Sequence, residues 1–526
     1  MKRTTFSSAM RGMCYGFTAL LFAASCANDN VTQDEKQNKD NIPAGATLFT
    51  GTSQPEVKVR TAILNHTKGA GASVNWSSTD KIWVKDDGGN WQQSTTTIIP
   101  SAANPSYAKF ALSGSYTGAS HDILYTNMAV TGTQPQVEIK AEQTQSAPNN
   151  FDHAGESGDC GIATGNKSGN DYTFTLDHKA SYLCFIPRTN NEYVKRSKLI
   201  KVEIMSDDDI AGTYDIAADG TLTLASGGSK TITVTTGSGF DIDNSDDDMS
   251  KNATYAVVAP GTHTFRIRYW LRNTTDYIDG PIEGTVSKIV TLNCTAGSIH
   301  DITANLNPHD YDGDHYYMWD AKEQYWKGHE WWSSNKDQST SLYEINANYP
   351  KSNADSRYWN ESYPGNGISN PAIHSCKDLP NVNEMTWYAD KGDPRLDNFE
   401  LWTTMGHLYQ GGIWFKKKSV LQAKGHYNSN TAADGTDWRI TNKMQTWHAS
   451  STLPSAAEVD NYFYLPTLGQ YTVGHLVMAG FEATYWSSSA TPLNNNSAYI
   501  LNFTITGSVY VFGIDRYYGN WVGGFE

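Results

Sequence analysis

Four sets of residues in this 526-residue sequence carry atoms that could do chemistry. In "DYDGD", Asp310, Asp312 and Asp314 alternate as the oxygen ligands of a calcium loop do. An EF-hand, however, sets its turn glycine sixth and a bidentate glutamate twelfth, and neither stands there. The stretch is expected to be a polar linker. Cys160, Cys184, Cys294 and Cys376 show no Cys-x-x-Cys spacing, so no zinc site, and no metal site elsewhere, is expected. A Cys160–Cys184 disulfide stays open for an oxidising compartment, beside the reading of Cys184 in "SYLCFIP" as a small buried residue. Glu384 and Glu458 could be taken as a carboxylate pair. Each stands three residues after Asn381 or Ser455, which is the capping-box spacing at a helix start. No Ser/His/Asp spacing, glycine-rich phosphate loop or HExxH is present. No catalytic residue, no cofactor and no enzymatic activity are expected.

The fourth set is a single cysteine. Lys2, Arg3 and Arg11 precede the apolar run "GMCYGFTALLFAAS", too short to span a bilayer permanently, and the small residues of "AASC" lead into Cys26. This resembles a bacterial lipobox. The resemblance implies a signal peptide over 1–26, thioether lipidation of Cys26 with palmitate-type acylation, and anchoring to the outer membrane. The alternative is a plain signal peptide cut near Ala24. Each buried acyl CH₂ contributes about 0.8 kcal/mol, so several chains anchor stably. The polar run over 27–46 is expected to be a disordered tether. Its acidic residues resemble the surface-export signals of Bacteroidota lipoproteins.

The net charge of -15 argues against a nucleic-acid partner, since phosphate recognition needs a clustered basic surface. Forty-four glycines, thirty tyrosines and few apolar helical stripes point to a mainly β chain. From 47 to 195, short alternating runs such as "YTFTLDHKASYLCFIP" predict one sandwich. From 196 to 307, "TYDIAADGTLTLAS" places an Asp219-Gly220 turn between alternating arms, and a second sandwich follows. Composition shifts at "NPHDYDGDHYYMWD", from the start of which onward twelve of the sixteen tryptophans lie. Residues 308–526 then mix helices with strands. They are expected to fold as an independent α+β domain.

The chain ends in "SVYVFGIDRYYGNWVGGFE". Val509 and Val511 alternate with Tyr510 and Phe512, so the two sets face opposite sides of one strand. If the valines face a core, the aromatics face something else.

Two resemblances bear on this. Residues 60–307 carry "RTAIL", "VNWSSTDKIWV", "LDHKASYLCF" and "SIHDITANL" in an order that resembles the fimbrillin (Mfa-like) family of Bacteroidota. That implies two tandem transthyretin-like β-sandwiches, and assembly into a fimbrium by strand exchange with other pilin subunits. A trypsin-like cut after an arginine in the first strand would open the groove, and Arg60 fits that position. Alternatively Arg60 is an ordinary strand residue. Residues 316–526 carry "NEMTWYADKGDPR", "LWTTMGHLYQGGIWFKKK", "FYLPTLGQY" and "YWSSSA", followed by the Tyr499, Leu501, Phe503, Val509, Val511, Arg516, Gly519 and Val522 layout. These are similar to C-type-lectin-like domains of the kind diversified by retroelements.

The second resemblance implies that Asn494, Asn495, Asn496, Ile500, Asn502, Tyr510, Phe512, Ile514, Asp515, Tyr517, Tyr518, Asn520 and Trp521 point outward together as a ligand-binding face. Tyrosine, tryptophan and asparagine suit such a face, as in antibody paratopes. The alternative is a second core formed under loops around 420–450. Relatives of this fold often end near "VRPV", whereas this chain ends "VGGFE". Neither Glu-Pro-Asn nor Gln-Pro-Asp occurs, so calcium-dependent sugar binding is not expected. The function these features imply is a cell-surface fimbrial adhesin, tip or accessory pilin, contacting a protein or glycan ligand. The alternative is a surface-anchored glycan-capture lipoprotein outside any pilus.

Overall fold

The computed structural model describes residues 42–52, 62–69, 71–102, 104–274, 281–342, 344–361 and 366–526. Cys26, Arg60, the 1–26 segment and most of the 27–46 run lie outside the described residues. Among the described residues no helix is long and apolar enough to cross a membrane.

The alternation predicted near residue 174 is realised. Tyr172, Phe174 and Leu176 are buried, whereas Thr173 and Thr175 are exposed. Their strand, Asp171–Thr175, belongs to a nine-stranded sheet. Along the sheet the order runs Trp91–Gln93, Trp83–Lys85, Ser120–Tyr125, Gly161–Ser168, Asp171–Thr175, Thr47–Thr52, Ala108–Leu112 and Thr96–Ile98. Val84 near one end and Phe110 near the other share a single core, so one sheet curls around its own interior. This differs from the expected pair of facing sheets. Thr47–Thr52 lies inside the order, parallel to Asp171–Thr175 and antiparallel to Ala108–Leu112. Phe49 stacks on Tyr172 at 4.6 Å and meets Tyr116 edge-on at 5.1 Å. Gly51 is required for packing, because a Cβ there would come 2.8 Å from the Phe174 ring.

The second body corrects the expected boundary at 195/196. Gln136–Ile139 pairs with Ala211–Ile216, Glu142–Thr144 pairs with Thr231–Asp241, and Ser181–Arg188 lies between Thr254–Val258 and Ile299–Asn305. Chain from the first half thus supplies strands to the second core, which includes Val137, Ile139 and the run Tyr182–Ile186. Residues 181–187 are buried without alternation, as a strand covered on both faces must be. The Asp219-Gly220 hairpin forms as expected, with Gly220 at φ +84 joining Ala211–Ile216 to Leu222–Ser229. Cys160, Cys184, Cys294 and Cys376 are buried free thiols.

The boundary at 308 is also corrected. The main sheet of the second body, through Lys198–Ser206, Gly261–Asn273 and Ile282–Cys294, continues into Arg395–Thr404, His407–Lys416 and Tyr462–Pro466. The junction is a parallel pairing, Thr285 with Glu400. Leu401 and Leu408 belong to the second body's core. At the seam, Arg268 Nη2 reaches Asp397 Oδ1 at 2.7 Å and Arg266 Nη2 reaches Asp397 Oδ2 at 3.4 Å, with all three side chains buried. Residues 308–526 are therefore not separate from what precedes them. The "DYDGD" stretch is no linker either. His309–Tyr311 is a strand beside Arg395–Thr404, and Asp310 accepts a hydrogen bond from Thr403 Oγ1 at 2.6 Å.

The capping box at Asn381 forms. Asn381 accepts from the Glu384 N–H, the Glu384 carboxylate accepts from the Asn381 N–H, and the helix Val382–Lys391 follows. At Ser455 only a 3₁₀ turn, Val459–Asn461, follows. Ser455 Oγ turns to the Glu458 carboxylate at 3.4 Å, while the Ala457 N–H donates to Asp207 of the second body. With the turn tied there and the strand Tyr462–Pro466 starting at once, no room is left for a helix.

Candidate binding surface at the C-terminal sheet

The C-terminal six-stranded sheet runs Tyr316–Tyr317, Asn520–Trp521, Glu482–Ala490, Ser497–Thr504, Ser508–Asp515 and Gln445–His448. Its period of two produces two faces. On one, Tyr485, Tyr499, Leu501, Phe503, Val509 and Val511 join Val382 and Met385 of the helix in a large aromatic core, as the scaffold positions predict. On the other, Trp486, Ala490, Ala498 and Ile500 pack with Trp319, Ala372 and Cys376.

The second face is thus largely a core. Phe512, Ile514, Tyr518 and Val522 pack partly buried against it. It is covered from the 319–379 stretch by Trp319, Ala372, Cys376 and Leu379, not by the expected loops around 420–450. Those loops close the other side, where Ala432 and Trp438 enter the main core.

Four residues expected to point outward are buried, each for a visible reason. Ile500 lies under the 319–379 cover. The Asn502 amide donates to Glu482 Oε1 at 2.6 Å and to the Ala483 carbonyl at 3.0 Å. Asn520 sits inside the two-strand pairing with Tyr317. Trp521 meets Tyr316 edge-on at 5.5 Å and stacks on His315 at 5.0 Å. Tyr510, Phe512, Ile514, Asp515 and Tyr518 are half-buried, and Asn494, Asn495, Asn496 and Tyr517 are exposed. The "VGGFE" ending docks on the helix side, with Phe525 beside Tyr388 and Tyr485 and the Glu526 carboxylate accepting from Tyr388 Oη at 3.1 Å.

The exposed residues gather at one end of the sheet, where four loop segments are tied together. Gly367 N–H donates to the Thr491 carbonyl, Ile368 N–H to Arg439 and Arg516 N–H to Asn496. A Cβ on Gly367, which sits at φ +54, would lie 2.6 Å from the Arg439 carbonyl, so this crossing requires glycine. Arg516 is the post under the Asn494–Asn496 tip. Its guanidinium stands 4.4 Å from the Trp319 ring and 5.7 Å from the Trp359 ring, and Nε donates to the Ser497 carbonyl at 3.2 Å. Burial pulls its pKa down to about 10 against the pull of Asp320, so it stays cationic at neutral pH.

Around this tip stand apolar side chains that sequence reasoning missed: Leu493 is 74% exposed, Met444 71%, Ile440 64% and Ile368 52%. All lie in polar loops without periodicity. An aliphatic residue there has no core to face, and that was the available signal. Together with the three asparagines and Tyr517, they form a rim of apolar contact and adaptable hydrogen-bonding groups.

No protein-family model matches the chain, and no curated protein matches it. Among solved structures it is similar to a fimbrial protein from Bacteroides ovatus, at 11% identity and a TM-score of 0.22, covering 90% of this chain and 99% of that one. It is also similar to the fimbrial anchor protein Mfa2 from Porphyromonas gingivalis, at 9% identity and a TM-score of 0.22, covering 49% of this chain and 90% of that one.

Proposed function

We propose that this chain is a cell-surface fimbrial subunit that acts in adhesion, lipid-anchored at Cys26 and assembled by strand exchange after cleavage at Arg60. The observation that carries this reading is the place of Thr47–Thr52. It precedes Arg60 in sequence yet lies between two partner strands inside the first sheet. One cut after Arg60 would sever it from the rest of the chain and open a slot with unpaired edges on both sides. Such a slot binds an extended segment through main-chain hydrogen bonds, with side-chain pockets setting register. Here the pocket of Phe49 calls for an aromatic residue in the incoming strand, and the crowding at Gly51 calls for glycine two residues later.

Replacing Arg60 by alanine should leave Thr47–Thr52 attached and reduce incorporation into sheared fimbriae to background. Normal incorporation of the variant would return Arg60 to an ordinary strand residue. A wild-type chain found only as free lipoprotein that binds polysaccharide would favour glycan capture outside a pilus.

The ligand, a protein or a glycan, would meet the loop end of the C-terminal sheet. This contracts the lectin-like face to Asn494, Asn495, Asn496 and Tyr517 with the apolar rim, the positions that diversification would act on. The triple variant Ile440→Ser, Leu493→Ser and Tyr517→Ser should abolish adherence of bacteria to arrayed host proteins and glycans. Each change should shift stability by less than about 0.5 kcal/mol, since exposed side chains support little of the fold. Unaltered adherence to every surface would place the ligand elsewhere.

A further inference from the structure

His66, Cys184 and Asp301 come from three separate strands: Ala62–Thr67, Ser181–Arg188 and Ile299–Asn305. Cys184 and Asp301 are register partners on neighbouring parallel strands. One imidazole nitrogen, one thiol sulfur and one carboxylate oxygen of this trio lie within 4.8 Å of one another. His66 and Cys184 are buried, and the Asp301 side chain is 15% exposed.

The hydrogen bonds around them constrain the three groups. Tyr255 Oη donates its one proton to Asn149 Oδ1 at 2.5 Å. Its contact with His66 Nδ1 at 3.1 Å therefore needs the proton on Nδ1, with the tyrosine oxygen accepting. In the neutral ring, the form a metal ligand takes, this leaves the lone pair on Nε2. Nε2 stands 3.4 Å from Asp301 Oδ1, the Cys184 thiol faces both this carboxylate and the Tyr255 hydroxyl, and Oδ2 accepts from the Gly69 N–H at 2.7 Å. A proton or a metal cation shared between Nε2 and Oδ1 would remove the repulsion of two facing acceptors.

We propose that this trio is a site for a divalent, borderline-soft cation, zinc by its donor set, held by His66 Nε2, Cys184 Sγ and Asp301 Oδ1. Mixed nitrogen, sulfur and oxygen donors suit zinc, whereas calcium and magnesium take oxygen ligands. Tyr255 then acts as the outer partner that orients the imidazole, as metal-bound histidines generally require. On binding, the Cys184 S–H bond breaks, its proton leaves to solvent and the sulfur's electron pair goes to the metal. The ion would pin the hairpin formed by Ala62–Thr67 and Gly71–Asn75 to the sheet of the second body.

Cobalt(II) added alone to the chelator-treated full chain tests this. One equivalent should bind and give a thiolate-to-cobalt charge-transfer band in the near ultraviolet, with zinc displacing it. Cys184→Ser should lose that band. Asp301→Asn and Tyr255→Phe, which keep the sulfur, should each weaken binding about 10–100-fold or more. Zinc should raise the Tm of the wild type but not that of Asp301→Asn. If the natively folded wild type binds no cobalt, or if Asp301→Asn and Tyr255→Phe bind as tightly as the wild type, the site is a metal-free network and the proposal fails.

Discussion

Asp397→Ala should destabilise the chain by about 3–5 kcal/mol, read as a shift of the urea midpoint. The carboxylate is fully enclosed. It answers Arg268 at 2.7 Å and Arg266 at 3.4 Å, and it also accepts from Trp414 Nε1 at 3.2 Å and the Phe399 N–H at 3.3 Å. Removing it takes away the one carboxylate that contacts both guanidinium groups and leaves Arg266 without its ion-pair partner. Arg266 keeps the Pro454 carbonyl and Arg268 keeps Thr285 Oγ1, both uncharged, while Glu203 stands 3.8 Å from Arg268. Burial already depresses the Arg266 pKa, with Asp397 the main opposing influence. The same geometry makes the fragment 308–526 a poor folding unit, since it would keep Asp397 and Leu401 and lose their partners. A change below about 1 kcal/mol in Asp397→Ala would show that water reaches the seam.

Trp486→Ala should cost about 3–5 kcal/mol as well, for a different reason. Trp486 is fully buried on the second face of the C-terminal sheet, and its Nε1–H donates to the Tyr317 carbonyl at 2.8 Å. Truncation removes a large apolar body from a small cluster and leaves a buried carbonyl unpaired. The neighbouring Ala490 and Ala498 are too small to fill the gap. A Tm close to that of the wild type would mean that the 319–379 cover lifts away from the sheet. Serine at Phe512 and Tyr518 should also destabilise, though less, because they are only half-buried. A binding test must therefore leave those two positions alone and use the rim.

The comparison of these residues shows what a sequence can and cannot reveal. Period two separated Val509 and Val511 from Tyr510 and Phe512 correctly, because side-chain alternation is local geometry. It could not say whether the second face met water or another segment, because the cover comes from Trp319, Ala372, Cys376 and Leu379, which lie outside any helix or strand. The Asp219-Gly220 hairpin and the Asn381 capping box were legible for the same local reason. The Ser455 turn was not, since its outcome depends on Asp207 far away in the chain. Domain boundaries failed where strands cross between bodies: nothing in "QVEI" or "EQT" announces that their partners lie near residues 213 and 234. His66, Cys184 and Asp301 share no motif because only the sheet register brings them together.

The continuous sheet between the second body and the C-terminal strands has a mechanical consequence. The tip stands on the separate six-stranded sheet, so a pull applied there passes through the aromatic core shared with Phe415, Phe463 and Leu465, and then through the Thr285–Glu400 pairing and the Arg266–Asp397–Arg268 lock. There is no linker at residue 308 to act as a swivel. Tension on a bound ligand is therefore carried with little internal slack, and the tip's orientation is set by the second body.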